Sequence, residues 1–156
     1  MTPQEFLAKQ IEDITIVKVP DPILTTECQP VEDFTPWLEI LKMMDVIRVK
    51  NNGIGLAAPQ VGLPYRAFVI GSARSPLFVI NPIIEEYGDR KATMTEGCLS
   101  IPGFKMDVVR PTKIKARWLS PSRKECAQMY VGMTARVYQH EMDHLNGVLI
   151  NRSIVT

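Results

Sequence analysis

Gln139-His140-Glu141-Met142-Asp143-His144-Leu145 contains both histidines of this 156-residue chain, four positions apart. Residues so spaced lie on one face of an α-helix, with Cβ atoms roughly 5–6 Å apart. Two imidazoles held that way can meet on one metal ion, and Glu141 flanks any water that the ion binds. This is the His-Glu-x-x-His arrangement of two ligands and a general base. A helix is expected on independent grounds. Met133, Val137, His140 and Leu145 recur near helical spacing, and Gly147 offers a C-terminal stop. The bland alternative is a solvated helix whose histidines pair with neighbouring carboxylates.

Two histidines do not complete a catalytic metal site, which usually takes three protein ligands and leaves one position open. The cysteines are Cys28, Cys98 and Cys126. None forms a CxxC pair, and an odd number in a chain long enough to bury a core argues against a disulfide framework and for a reducing compartment. Cys98 stands out in Thr95-Glu96-Gly97-Cys98-Leu99-Ser100-Ile101-Pro102-Gly103. Glycine before it permits close backbone approach, and the proline after it is expected to end any strand ladder. Such a segment can turn a thiolate toward a site. Cys28 and Cys126 read as ordinary partly buried or loop cysteines.

A third segment, Gly53-Ile54-Gly55-Leu56-Ala57-Ala58-Pro59-Gln60-Val61-Gly62, is punctuated by glycine. A phosphate-cradling loop fails here, because no Lys-Ser or Lys-Thr follows. A tight turn with close chain packing is one reading. The sharper one is a backbone wall against which a substrate lies, with the Gln60 amide as a donor beside it.

Elements fall around these segments. Thr2-Pro3-Gln4-Glu5 pairs a capping threonine with Pro at the first helical position and Glu at the third. A second helix is expected from about Pro36 to Lys50 behind Thr35, with Leu38, Leu41, Met44 or Asp45, and Ile47 on its apolar face. Trp37, Met43 and Met44 read as core. Strands are expected at Ala67–Ile70, Leu77–Ile80, Val108–Val109 and Lys113–Trp118, the last alternating as a half-buried strand does. The pattern predicts an α+β fold, mixed or antiparallel sheets around the central histidine-bearing helix, in one domain over residues 1–156.

Composition restricts the function classes. Eighteen basic and 17 acidic side chains leave a net charge of +1, which does not suggest a nucleic-acid or membrane-surface protein. No apolar run approaches the ~20 residues that span a bilayer. The N-terminus, with Glu5, Glu12 and Asp13, is neither signal nor transit peptide, so a cytoplasmic location is expected.

The three segments together resemble peptide deformylase. The resemblance rests on GIGLAAPQVG at 53–62, EGCLSIPG at 96–103 and QHEMDHLNG at 139–147, in the family's order, and extends from about Ile14 to Ile150. It implies removal of the formyl group from the formyl-methionine of nascent peptides, releasing formate and a free α-amine. It implies Cys98, His140 and His144 as ligands of one divalent ion, Fe(II) natively, with Zn(II) or Ni(II) as substitutes. Glu141 is then the general base, and the Gln60 side-chain amide and Leu99 backbone N–H stabilise the oxyanion. An extended peptide would pair beside Ile54, Gly55 and Gly97, and its methionine would sit against Ile54, Met133 and Val137, residues that also fit plain core packing. Glu96 would orient a ligand or an arginine such as Arg110, the alternative being a solvated loop carboxylate. Asp143 fits either a supporting role or a surface ion pair.

Two departures from the commoner bacterial pattern stand out. Lys105 occupies the place of an arginine that holds the substrate backbone in many members, and lysine is a point charge rather than a planar fork. The chain also runs only 12 residues past His144, without the long C-terminal helix that helps bacterial members dock on the ribosome. Ribosome contact is therefore expected to be transient at most, and a minimal or phage-type enzyme fits. Two other readings compete. A zinc endopeptidase would take a downstream Glu or third His, and none follows His144. A structural metal-binding or peptide-binding module would need neither Glu141 nor Gln60.

Overall fold

The computed structural model describes residues 1–72 and 74–151. Among the described residues three α-helices, α1 (Pro3–Leu7), α2 (Trp37–Lys50) and α3 (Gly132–Leu145), combine with seven strands. These are β1 (Gly55–Ala57), β2 (Ala67–Ile70), β3 (Leu77–Tyr87), β4 (Lys91–Cys98), β5 (Ile101–Pro111), β6 (Lys113–Leu119) and β7 (Glu125–Val131). A five-stranded sheet runs β1-β2-β3-β6-β7, and β4 and β5 form a separate hairpin. Every pairing between these strands is antiparallel. The fold is α+β, as the element pattern predicts.

The start of α1 is the capping box that its sequence spells. The Thr2 hydroxyl accepts from the Glu5 amide and the Glu5 carboxylate from the Thr2 amide, both at 3.1 Å. Helix α2 departs from expectation in two respects. Its buried face is Trp37, Ile40, Leu41, Met44 and Ile47, while Leu38 is exposed. Trp37 sets this rotation by filling the core at the first turn. Thr35 does not cap it; Pro36 stands at the N-cap without a side-chain hydrogen bond, and the Thr35 amide is turned to Asp33 Oδ1.

Helix α3 is the axis of the molecule. Ala135, Val137, Tyr138 and Leu145 pack against Phe68, Ala116 and Trp118 of the large sheet. The Tyr138 ring meets Phe68 edge-on at 5.1 Å. The helix ends as Gly147 predicts. Gly147 takes φ +72°, its amide reaches the His144 carbonyl, and the Val148 amide reaches Asp143 at 2.8 Å.

Proline does not end the ladder near Cys98. Pro102 lies inside β5, at the register irregularity where Cys98 faces Ile101 and Gly97 faces Lys105. An exposed proline is tolerated there because the ladder is already interrupted.

Candidate metal centre

Cys98 ends β4, and the two histidines lie one turn apart on α3. The hairpin leans across the helix, so that Cys98 Sγ comes to 3.4 Å from His144 Nε2. The His140 and His144 ring centroids are 5.1 Å apart. One ligand atom from each of Cys98, His140 and His144 lies within 4.8 Å of the other two. The sequence-predicted trio thus converges, and Cys28 and Cys126 lie elsewhere, in the core between sheet and α3 and on β7.

Glu96 fixes this geometry. Its Oε1 lies 2.8 Å from His140 Nδ1, which leaves Nε2 of that ring to face the cluster. The same carboxylate takes two hydrogen bonds from Arg110, at 2.7 and 2.9 Å, and one from Arg136 at 2.5 Å. Arg110 reaches on to Asp143 at 2.8 Å. Two guanidiniums and two carboxylates therefore balance within one mostly buried network. Burial alone would raise the Glu96 carboxyl, but hydrogen bonds from His140 and Arg110 hold it well below the usual range. The solvated-loop reading of Glu96 is thereby corrected, and Asp143 joins the network. Arg136 was not anticipated. Its signal is present, four residues before His140 on the same helical face.

The donor set fits a divalent ion. Burial pulls His140 down, yet hydrogen bonds to Cys98 and Glu96 outweigh it and raise the ring to about 10. A metal ion would displace that proton, as ligation requires. Burial, then repulsion from His140 and Arg110, keeps His144 neutral and ready to ligate. One thiolate with two imidazoles suits zinc or ferrous iron.

Glu141 stands beside the trio. Its carboxyl is 3 % exposed, and burial pushes it up to about 7. Among the described residues, only Glu141 Oε1 and His144 Nδ1 are buried side-chain polar atoms without a partner. Gly55 makes room for this carboxylate, since a Cβ there would sit 2.6 Å from Glu141 Oε2. Gln60 is equally buried. Its Oε1 accepts from the Ala57 amide at 3.0 Å, and its Nε2 donates to Ser100 Oγ at 3.1 Å and faces Cys98 Sγ at 3.7 Å. Ser100 is a further site residue that the sequence reading passed over.

These groups open into a cavity of about 630 Å³, walled by Ile54, Gly55, Gly97, Leu99, Met133 and Val137. Every anticipated pocket residue therefore lines it. Val137 is buried, whereas Ile54 and Met133 are half exposed, so Met133 is pocket rim rather than core. Lys105 also lines the cavity, exposed on β5.

A thiol, two imidazoles and an unpaired buried carboxylate beside one cavity have the composition of a metallohydrolase site. Comparison with known proteins makes the class specific. The sequence profile of the polypeptide deformylase family matches residues 14–156. The peptide deformylase of Carboxydothermus hydrogenoformans is 40 % identical over 136 residues, 86 % of this chain and 88 % of its own. The crystal structure of the Thermotoga maritima peptide deformylase superposes with a TM-score of 0.87 at 36 % identity, over 89 % of this chain and 95 % of that one. A probable peptide deformylase from Synechococcus phage S-SSM7 gives 0.84 at 33 %, over 90 % and 99 %. The chain belongs to the polypeptide deformylase family, metal-dependent hydrolases that remove the N-terminal formyl group from nascent peptides.

Proposed function

We propose that this chain, as one catalytic domain over residues 1–156, deformylates formyl-methionyl peptides with Cys98, His140 and His144 holding one divalent ion, Fe(II) in its native form and replaceable by Zn(II) or Ni(II). When bound, the ion polarises the formyl oxygen and lowers the pKa of water enough to supply a nucleophile near neutral pH. Glu141 accepts the proton of the attacking water and returns it to the departing amine. Gly55 leaves space for the carboxylate, and the surrounding burial keeps competing water away from it. The Gln60 amide, oriented by the Ala57 amide, and the Leu99 backbone N–H face the developing oxyanion, each worth about 3–4 kcal/mol. Glu96 holds His140 in the tautomer that presents Nε2, and Arg110 and Arg136 hold Glu96.

The substrate lies extended between the Ile54–Gly55 and Gly97 walls, with its methionine against Ile54, Met133 and Val137. Lys105 meets the peptide backbone as a single charge. Among the described residues no helix is long and apolar enough to cross a membrane. We read the enzyme as cytoplasmic, in transient contact with the ribosome and without direct nucleic-acid binding. The expectation that no C-terminal helix follows bears on residues 152–156, which lie outside the described residues.

The observation that carries this reading is the orphaned Glu141 Oε1 beside the Cys–His–His cluster, a buried carboxylate oxygen with no structural partner. The test is formate release from formyl-Met-Ala by iron-loaded protein under anaerobic conditions. Stoichiometric metal with no formate released would overturn it.

A further inference from the structure

The wall of the cavity at Gly53 and Ile54 lies outside the sheet. Strand β1 begins at Gly55, whose register partner is Ile70, so Gly55 is held by the ladder, and Glu141, which packs on it, is carried by α3. Gly53 has no such support, and Ile54 is tied to the sheet only through its carbonyl. Gly53 is held by the end of α2 instead. Arg48, on the last turn of α2, donates from Nη1 to the Gly53 carbonyl at 2.9 Å. The Gly53 amide in turn donates to the Arg48 carbonyl at 2.9 Å, and the Gly71 amide to the Ile54 carbonyl at 2.8 Å.

The guanidinium is itself held on two further sides. Asp45 Oδ1, one turn earlier, takes a hydrogen bond from Nε at 2.9 Å and pairs with Nη2 at 2.8 Å. Gly71 forms the other side, since a Cβ there would sit 2.4 Å from Arg48 Nη1. Arg48 and Asp45 are mostly shielded, with side chains 15 % and 22 % exposed. A planar fork fits this slot because it can satisfy a carboxylate and a carbonyl at once.

We propose that Arg48 is a positioning residue for the peptide substrate, the latch that holds the Gly53–Ile54 wall in the conformation the peptide binds. This rests on the deformylase reading of the cavity and extends it to how peptide affinity is set. A wall already ordered spares the peptide the entropy of ordering it. Releasing the latch therefore weakens binding and leaves the chemistry, because Gly55 is fixed by the ladder and Glu141 by α3.

The experiment measures kcat and KM for formyl-Met-Ala-Ser in wild type, Arg48→Met, Arg48→Lys and Gly71→Ala, with metal content determined on each. Arg48→Met should raise KM about tenfold and leave kcat within about twofold. Arg48→Lys, which can reach the Gly53 carbonyl but cannot also fork onto Asp45, should fall between. Gly71→Ala should raise KM as well, by pushing the guanidinium off its carbonyl, and it serves if Arg48→Met does not fold. KM within about twofold of wild type in the folded, metal-replete variants would overturn the proposal. So would an equal fall in kcat, which would make Arg48 a support of the metal centre. Absence of formate release from the wild-type protein fails the deformylase reading itself, whereas release with unmoved KM fails the latch alone.

Discussion

Glu96 and His140 meet at 2.8 Å across 44 positions of sequence, carboxylate oxygen to Nδ1, and this contact decides which nitrogen of His140 faces Cys98 and His144. The carboxylate does so while also joining two buried guanidiniums. Orientation of the ligand and neutralisation of the network are thus one interaction.

Glu96→Gln should therefore do two things. Metal affinity should fall about 10–100-fold, because an amide is a poorer acceptor for the imidazole N–H. Stability should fall by about 3 kcal/mol, because Arg110 and Arg136 lose a buried counter-charge. Metal titration of the folded variant and thermal unfolding of the metal-free protein measure these separately.

Glu141→Ala should keep the metal and the fold and lose about 10²–10⁴-fold in turnover, more if the same group also donates the proton. Metal stoichiometry and formate release are read on one preparation. Activity within about tenfold of wild type, only ~1.4 kcal/mol of barrier, would remove Glu141 from the proton transfers.

Cys98→Ala should lose the metal after gel filtration, while Cys28→Ala and Cys126→Ala retain it, since only Cys98 joins the histidine pair. Full occupancy in the Cys98 variant would contradict the ligand set.

Gly55→Ala tests the room left for the general base. The added Cβ would meet Glu141 Oε2 at 2.6 Å and Val137 Cγ1 at 3.1 Å. The carboxylate must shift, so kcat should fall at least about tenfold, as misplacement of a reacting group by ~1 Å costs up to 10²-fold. Metal content should be unchanged. Wild-type kcat in this variant would show that the carboxylate tolerates displacement.

Cys28 links stability to alkaline pH. Burial pushes its thiol from an ordinary 9.0 up to about 11, against a smaller lowering by Arg66. The folded chain then keeps a proton that the unfolded chain gives up. Stability is full below about 9 and falls as pH rises from there through about 11. Urea unfolding at several pH values should show a shallower alkaline decline in Cys28→Ala, and identical slopes would exclude the contribution.

Local signals were legible where the physics is local. The capping box at Thr2 and Glu5, the helix carrying His140 and His144, and its stop at Gly147 each depend on neighbours within a turn or two. Alternation marked β6, because one face of Lys113–Leu119 is buried and the other is not. Strands β4 and β7 are not legible, because residue type does not follow burial there: the shielded face of β4 carries Glu96, and the exposed face of β7 carries Ala127, Met129 and Val131. The apolar face of α2 was misjudged at Leu38, since a hydrophobic residue carries no mark of which way the core lies.

The site divides along the same line. Sequence alone determined which side chains could bind a metal and move a proton, because ligand chemistry belongs to residue type and the i, i+4 spacing belongs to the helix. Only the tertiary structure decided that Cys98 arrives at 3.4 Å from His144, that Glu96 is shared among His140, Arg110 and Arg136, and that Arg48 reaches round to Gly53. Except for the Arg48 latch, those contacts join segments far apart in the chain. What fixes them is the packing of the β4–β5 hairpin against α3, which no window of sequence contains.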